Sequence, residues 1–311
     1  LSGQKPVRLC RNIMFNKNFN SYLCAFICVV SSAVEPVLSK IGYRYFITPY
    51  ELLILRFLIG GIVVLPLVKR YRWIGWKNTA GLLWLALLLM STCGLVLVAL
   101  KYLTAVVVIT IITATPAFVA IVNQILGKEI LSRRFWLGFL LCFTGILLSI
   151  EIHRGTSNSQ TFNIIGLLCA FGSVAVSTIY RTQLDDATKN FPPMQVSTYM
   201  FIMDAIVALF FLPTVWPMSG KTWVIGSIIG IAAAIANISF LMAIYFMGST
   251  RMSVIGLLQR PLVIICAALI LKEPLSAVQI AGIILVIIGI RMAKVTKRTQ
   301  LLNKEFAVAL K

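Results

Sequence analysis

Arg251 to Lys294 reads RMSVIGLLQRPLVIICAALILKEPLSAVQIAGIILVIIGIRMAK. It is an apolar span interrupted at Pro261, a short turn Leu271-Lys272-Glu273-Pro274-Leu275-Ser276, and a second apolar span carrying Gly282 and Gly289. The arrangement occurs twice. Leu126-Gly127-Lys128-Glu129-Ile130-Leu131-Ser132 is the earlier turn, Pro116 interrupts the span before it, and Gly138 and Gly145 lie at the matching distances beyond it. Lys128, Glu129, Leu131, Ser132, Gly138 and Gly145 all return 144 residues later. With a one-residue slip, Cys24-Ala25-Phe26 returns as Cys169-Ala170-Phe171. One half of the chain is a copy of the other.

Composition names the solvent. With 59% hydrophobic and 12% charged residues and a mean hydropathy of +0.95, the chain has too little polar surface for a water-soluble globule. The apolar runs are continuous rather than alternating, which predicts membrane helices and not a barrel. Ten spans are expected, at about 20–39, 49–68, 79–100, 104–126, 135–152, 163–180, 195–215, 223–244, 251–271 and 277–293. About twenty mostly polar residues precede the first span without a cleavage signature, so that span is expected to stay. The connections are short, which makes consecutive helices antiparallel neighbours. The expected organisation is a tail at 1–19, a first repeat at 20–152, a linker at 153–162, a second repeat at 163–293 and a basic tail at 294–311. Each repeat has five spans. An odd number returns the chain to the opposite face, so the second copy enters the membrane upside down. The fold class is therefore all-α integral membrane, with ten transmembrane helices built as two inverted five-helix repeats.

Loop charge sets orientation. Twenty Lys and Arg residues fall on the side holding both tails, and six on the other, namely Lys40, Arg44, Lys101, Arg154, Lys221 and Lys272. The positive-inside rule then predicts cytoplasmic termini. The net charge of +19 marks topology and contact with anionic lipid, not nucleic acid. The seven cysteines form no disulfide framework, since Cys24, Cys28, Cys93, Cys142, Cys169 and Cys266 lie inside spans.

The doubled pattern of a Pro-broken span, a Lys-Glu-x-Leu-Ser turn and a Gly-spaced last span, with Ala243 to Tyr245 leading into the ninth span, resembles the EamA-type transporters of the drug/metabolite transporter superfamily. The resemblance runs over about residues 20–294. It implies a ten-helix inverted-repeat transporter that exports or exchanges small metabolites, in a bacterial inner (plasma) membrane. It leaves the solute open: the superfamily spans amino acids, nucleotide derivatives, sugars and drugs, organic cations among them. The first copy departs from the second in having Ile130 where the other has Pro274.

Four ionisable residues lie within spans: Glu35, Arg56, Asp204 and Arg260. A charge at the bilayer centre costs about 2.5–3.5 kcal/mol on insertion scales, so four unpaired ones would cost on the order of 10 kcal/mol. They must pair or face water. Counting along the helices puts Asp204 and Arg260 near mid-depth, with Glu35 and Arg56 toward the outer half, and makes Arg260 the expected cation for Asp204. Two uses are open. The four can line a cavity that binds a zwitterionic or polar solute or carries a coupling proton, or they can be salt bridges that lock helices together. Pro36 and Pro261 follow Glu35 and Arg260 and release backbone carbonyls beside them. Trp84, Tyr180, Asn237, Tyr245 and Gln259 complete the candidate solute-binding set, each with helix packing or an interfacial belt as the competing use. Thr113 and Thr115 flank the break at Pro116, and Gly60, Gly61, Gly138, Gly282 and Gly289 suit close helix contact.

An enzyme is not expected. His153 is the only histidine, no metal-ligand spacing occurs, and no hydroxyl nucleophile has a nearby base. No cofactor is expected. The expected partners are a small-molecule solute, protons as the candidate coupling ion, and membrane lipid, with the chain a monomer or homodimer. A channel or a lipid-moving protein is the alternative membrane role.

Overall fold

Each expected span holds helix in the computed structural model, which describes residues 17–68, 76–127, 129–130, 133–150, 163–247, 259–271, 276–292 and 296–297. Residues 1–16, the 153–162 linker, Lys272 to Leu275 and residues 298–311 lie outside the described residues. The helices are α1 (Lys17–Arg44), α2 (Pro49–Val68), α3 (Trp76–Tyr102), α4 (Ala105–Thr113), α5 (Thr115–Ile125), α6 (Arg133–Ile150), α7 (Ile164–Asn190), α8 (Pro193–Phe211), α9 (Gly220–Met247), α10 (Gln259–Ile270) and α11 (Ala277–Met292). Among the described residues, seven helices are long and apolar enough to cross a membrane, with α4 and α5 counted as one. The remaining expected spans are held by α6, α10 and α11, of 18, 12 and 16 residues.

Local chemistry fixes where several helices begin. Thr48-Pro49-Tyr50-Glu51 is a capping box: the Thr48 amide donates to Glu51 Oε2 at 2.6 Å, and the Glu51 amide donates to Thr48 Oγ1 at 3.3 Å. Pro49 occupies the first turn, where its missing N–H costs nothing. Asn163 Oδ1 accepts from the Ile165 and Gly166 amides to start α7, and Ser219 Oγ accepts from the Thr222 amide to start α9. Pro116 ends α4 at Ala114 and opens α5. That broken span is the innermost: 71% of its most apolar window is buried, against 28–39% in the other candidate spans. The low burial elsewhere leaves apolar side chains such as Leu168, Phe210 and Leu269 exposed, as a lipid-facing surface requires.

The repeat is visible in the packing. If α1 corresponds to α7, α2 to α8, α3 to α9, α4–α5 to α10 and α6 to α11, every major contact has its image. α1 packs on α9, and α7 packs on α3; α1 packs on α10, and α7 packs on α4 and α5. α2 packs on α8 and α6 on α11, each a helix against its own counterpart. These two self-pairs lie on the pseudo-two-fold axis of an inverted repeat. The repeated glycines show it at atomic scale. A Cβ on Gly145 would lie 2.5 Å from the carbonyl oxygen of Gly282, the counterpart of Gly138.

A two-residue antiparallel pair, β1 (Glu129–Ile130) with β2 (Thr296–Lys297), adds a contact that the apolar pattern does not signal. It joins the segment between α5 and α6 to the one following α11. Both belong to the side counted as basic, so the pairing agrees with the expected sidedness of these two segments relative to each other.

Candidate solute site

The site forms where α2 is held between α8 and α9. A Cβ on Gly61 would come within 2.3 Å of Ala205 Cβ, and one on Gly60 within 3.1 Å of the Phe201 ring, so only glycine lets α2 approach α8 this closely. On its other flank, a Cβ on Gly230 of α9 would lie 3.0 Å from the Leu55 carbonyl oxygen and 3.1 Å from that of Arg56. Phe57 and Phe201 meet across the α2–α8 seam with ring centroids 5.9 Å apart. Arg56 precedes one ring and Asp204 follows the other by one turn, so the packing brings their two levels together.

Arg56 makes a salt bridge with Glu35 of α1 through Nη1 and Oε1, both side chains mostly buried. The Arg56 guanidinium also lies over the Phe57 ring, 5.5 Å from its centroid. Its Nε–H is buried without a hydrogen-bond acceptor among the described residues. Asp204 is fully buried, and neither carboxylate oxygen has a hydrogen-bond partner among the described residues. Arg56 is the charged group that acts on it electrostatically. Cys93 of α3 and Tyr180 of α7 feel the Asp204 charge in turn. Glu35, Arg56 and Asp204 are thus one charge cluster drawn from both repeats, in which one guanidinium pairs with Glu35 and still acts on Asp204; the expected pairing of Asp204 with Arg260 falls outside the described residues.

The other candidates are placed differently. Asn237 of α9 donates from Nδ2 to Ser197 Oγ of α8, one helical heptad before Asp204. Trp84 of α3 is 54% exposed, and its Nε1–H donates to Gln183 Oε1 of α7 at 2.9 Å. Tyr180 packs with Leu82, Leu85 and Met200 beside the cluster. The side chains of Tyr245, Gln259 and Arg260 lie outside the described residues. Thr113 and Thr115 are buried and donate to the carbonyls of Ile109 and Ile112, each at 2.6 Å, so both hydroxyls serve the break in their own span. Ser197, Gln183 and Cys93 were not singled out in the sequence. Ser197 carried a readable signal, because it stands seven residues before Asp204 on the same face of one helix.

Among the described residues, Asp204 is thus a fully buried carboxylate without a hydrogen-bond partner, at the meeting of the two repeats. The EamA-like transporter family model matches residues 19–150 and again 164–294, one match on each repeat. The chain belongs to the EamA-like transporter family. An uncharacterized transporter of Archaeoglobus fulgidus is 25% identical over 251 residues, covering 79% of this chain and 88% of the relative. A solved crystal structure superposes with a TM-score of 0.57 at 14% identity, over 87% of this chain and 97% of that one, a likeness of fold. This EamA-like chain is a multi-pass membrane transporter. Its small-molecule site is sought among its own intramembrane polar groups, and the Glu35–Arg56–Asp204 cluster is the charged one that the described side chains form.

Proposed function

We propose that the chain is a secondary active transporter that exports or exchanges small polar metabolites such as amino acids or their derivatives by alternating access. The observation that carries this reading is the buried, unpartnered Asp204 carboxylate of the second repeat beside Arg56 of the first. A static salt bridge would satisfy both partners. Here Arg56 is paired with Glu35 while Asp204 has no hydrogen-bond partner among the described residues, which suits a group that takes a ligand in part of a cycle. The five-helix halves at 20–152 and 163–293 would rock about the axis through the α2–α8 and α6–α11 pairs, opening the cluster to either side in turn. Asn237, Ser197 and Tyr180 would supply further hydrogen bonds. Arg260 is assigned the anionic end of the solute, since a guanidinium holds a carboxylate or phosphate through two parallel bonds.

Counterflow in proteoliposomes tests the reading. A panel of labelled amino acids, nucleotide derivatives and organic cations should include a solute whose exchange saturates and is accelerated by unlabelled solute inside. Imposing a proton gradient on the same vesicles reads coupling. Ion conductance or lipid movement without saturable exchange of any panel member would replace the carrier with a channel or a lipid-moving protein.

A further inference from the structure

The charge balance of the cluster says more about the solute. Glu35 and Arg56 neutralise one another. Asp204 then contributes a second acid, and among the described residues both of its oxygens are buried acceptors without donors. The described titratable groups that interact with it electrostatically are Arg56 from α2, Cys93 from α3 and Tyr180 from α7. Of these, only Arg56 is a cation, and its guanidinium is bonded to Glu35. The seam above Asp204 carries the Phe57 and Phe201 rings, whose faces favour a cation over an anion. What Asp204 lacks among the described side chains is a positive donor.

We infer that Asp204 receives an ammonium group of the solute, and that Glu35 serves as a positioning residue that holds Arg56 away from Asp204 and so keeps that carboxylate open. The inference rests on the transporter reading and sharpens its substrate class: the solute bears an ammonium group, as a zwitterion or as an organic cation. Losing a hydrogen bond between charged groups costs about 1.5–3 kcal/mol, or about ten- to a hundredfold in affinity. Glu35→Gln would release Arg56 to pair with Asp204 and block the ammonium subsite, although Glu35 itself touches no solute. Removing the arginine as well would open the carboxylate again. A purely structural ion pair gives no reason for an ammonium-specific loss.

The experiment is counterflow with solutes matched in shape, on the full-length protein in proteoliposomes. L-leucine is compared with isopentylamine, which keeps the ammonium and lacks the carboxylate, and with isocaproate, which keeps only the carboxylate. Choline, whose quaternary ammonium carries the charge but no N–H, is compared with dimethylbutanol, its uncharged carbon isostere, and so reads charge pairing without the hydrogen bond. Each exchanged solute should bear an ammonium group, and its counterpart without one should be at least about tenfold poorer. Exchange of L-leucine without isopentylamine identifies a zwitterion, and exchange of isopentylamine or choline an organic cation. For the exchanged solute, Asp204→Asn and Glu35→Gln should each raise the half-saturating concentration at least about tenfold, and Glu35→Gln with Arg56→Gln should bring it back toward the wild-type value. Equal exchange of isocaproate or dimethylbutanol by the wild type overturns the inference without recourse to any variant. So does an Asp204→Asn protein that exchanges normally and has lost only its response to a proton gradient. If solutes without an ammonium group are the ones exchanged, the transporter reading stands and this inference falls. If no solute exchanges, both fall.

Discussion

Arg56 lies at the centre of the residue-scale picture because it contacts Glu35 through Nη1 while its Nε–H stays buried and unaccepted. Both features depend on a planar group with several donors. Lysine presents one compact ammonium on a flexible stem, so Arg56→Lys keeps the charge but cannot hold Glu35 with one edge and leave a second donor in place. Exchange should fall about tenfold or more while the protein still reaches the membrane and elutes as one species. Near-normal exchange would reduce Arg56 to a charge. Arg260→Lys is expected to lose exchange of carboxylate- or phosphate-bearing solutes with expression retained, because the bidentate fork is lost. If Arg260→Lys exchanges such solutes as well as the wild type does, the anionic end binds elsewhere.

Among the elements, α2 is the one that brings the two repeats together. It touches α8 through Gly60 and Gly61 and is met by α9 through Gly226 and Gly230, so its side chains reach both neighbours without the usual helix separation. Gly61→Leu must push α8 away, because even its Cβ would stand 2.3 Å from Ala205 Cβ and 3.3 Å from the Phe201 carbonyl oxygen. Overpacking of this kind costs about 1–3 kcal/mol, and it moves Asp204, the residue beside Ala205. Thermal unfolding in detergent should therefore shift down and exchange should weaken together. Gly81 on α3 is the control, with nothing within 4 Å of an added Cβ. Gly81→Ala should leave exchange unchanged and melt at the same temperature or higher, since alanine favours a helix by about 1 kcal/mol over glycine. A Gly61→Leu protein as stable as the Gly81→Ala one would contradict the close α2–α8 crossing.

For the whole molecule, two inverted repeats and the loop charges predict one orientation. Position 75, in the segment between α2 and α3, should be cytoplasmic and position 157, in the linker, external. In a cysteine-free background, an impermeant thiol reagent added to intact cells should label Ser157→Cys and spare Gly75→Cys until the membrane is opened. The reverse pattern would invert the assignment of both termini. The β1–β2 pairing makes a companion prediction that does not depend on absolute direction. Cysteines at 129 and 297, which are Cα partners, should cross-link to each other in native membranes.

Much of this was present in the chain before any coordinates. Hydropathy located the helices because in lipid every backbone polar group must be satisfied within its own segment, so a span must be long, apolar and helical wherever it packs. The duplicated Lys-Glu turns, the paired prolines and the glycine spacing identified two copies. Five spans per copy made the second inverted, and the packing of α6 on α11 and α2 on α8 is what that inversion requires. The cost of burying charge also singled out Glu35, Arg56 and Asp204 from the letters alone. Their partners were another matter. Whether Arg56 turns to Glu35 or toward Asp204 depends on how α1, α2 and α8 rotate and tilt against each other, which is set by glycine contacts such as Gly61 on Ala205 and Gly230 on the α2 backbone. Hydropathy says little of rotation, because these spans are mostly apolar all round and only isolated polar pairs such as Ser197 and Asp204 mark a face. Only the tertiary structure therefore joined Glu35 and Arg56 in one salt bridge, tied Asn237 to Ser197 and Trp84 to Gln183, and left Asp204 buried beside Arg56 with neither oxygen bonded.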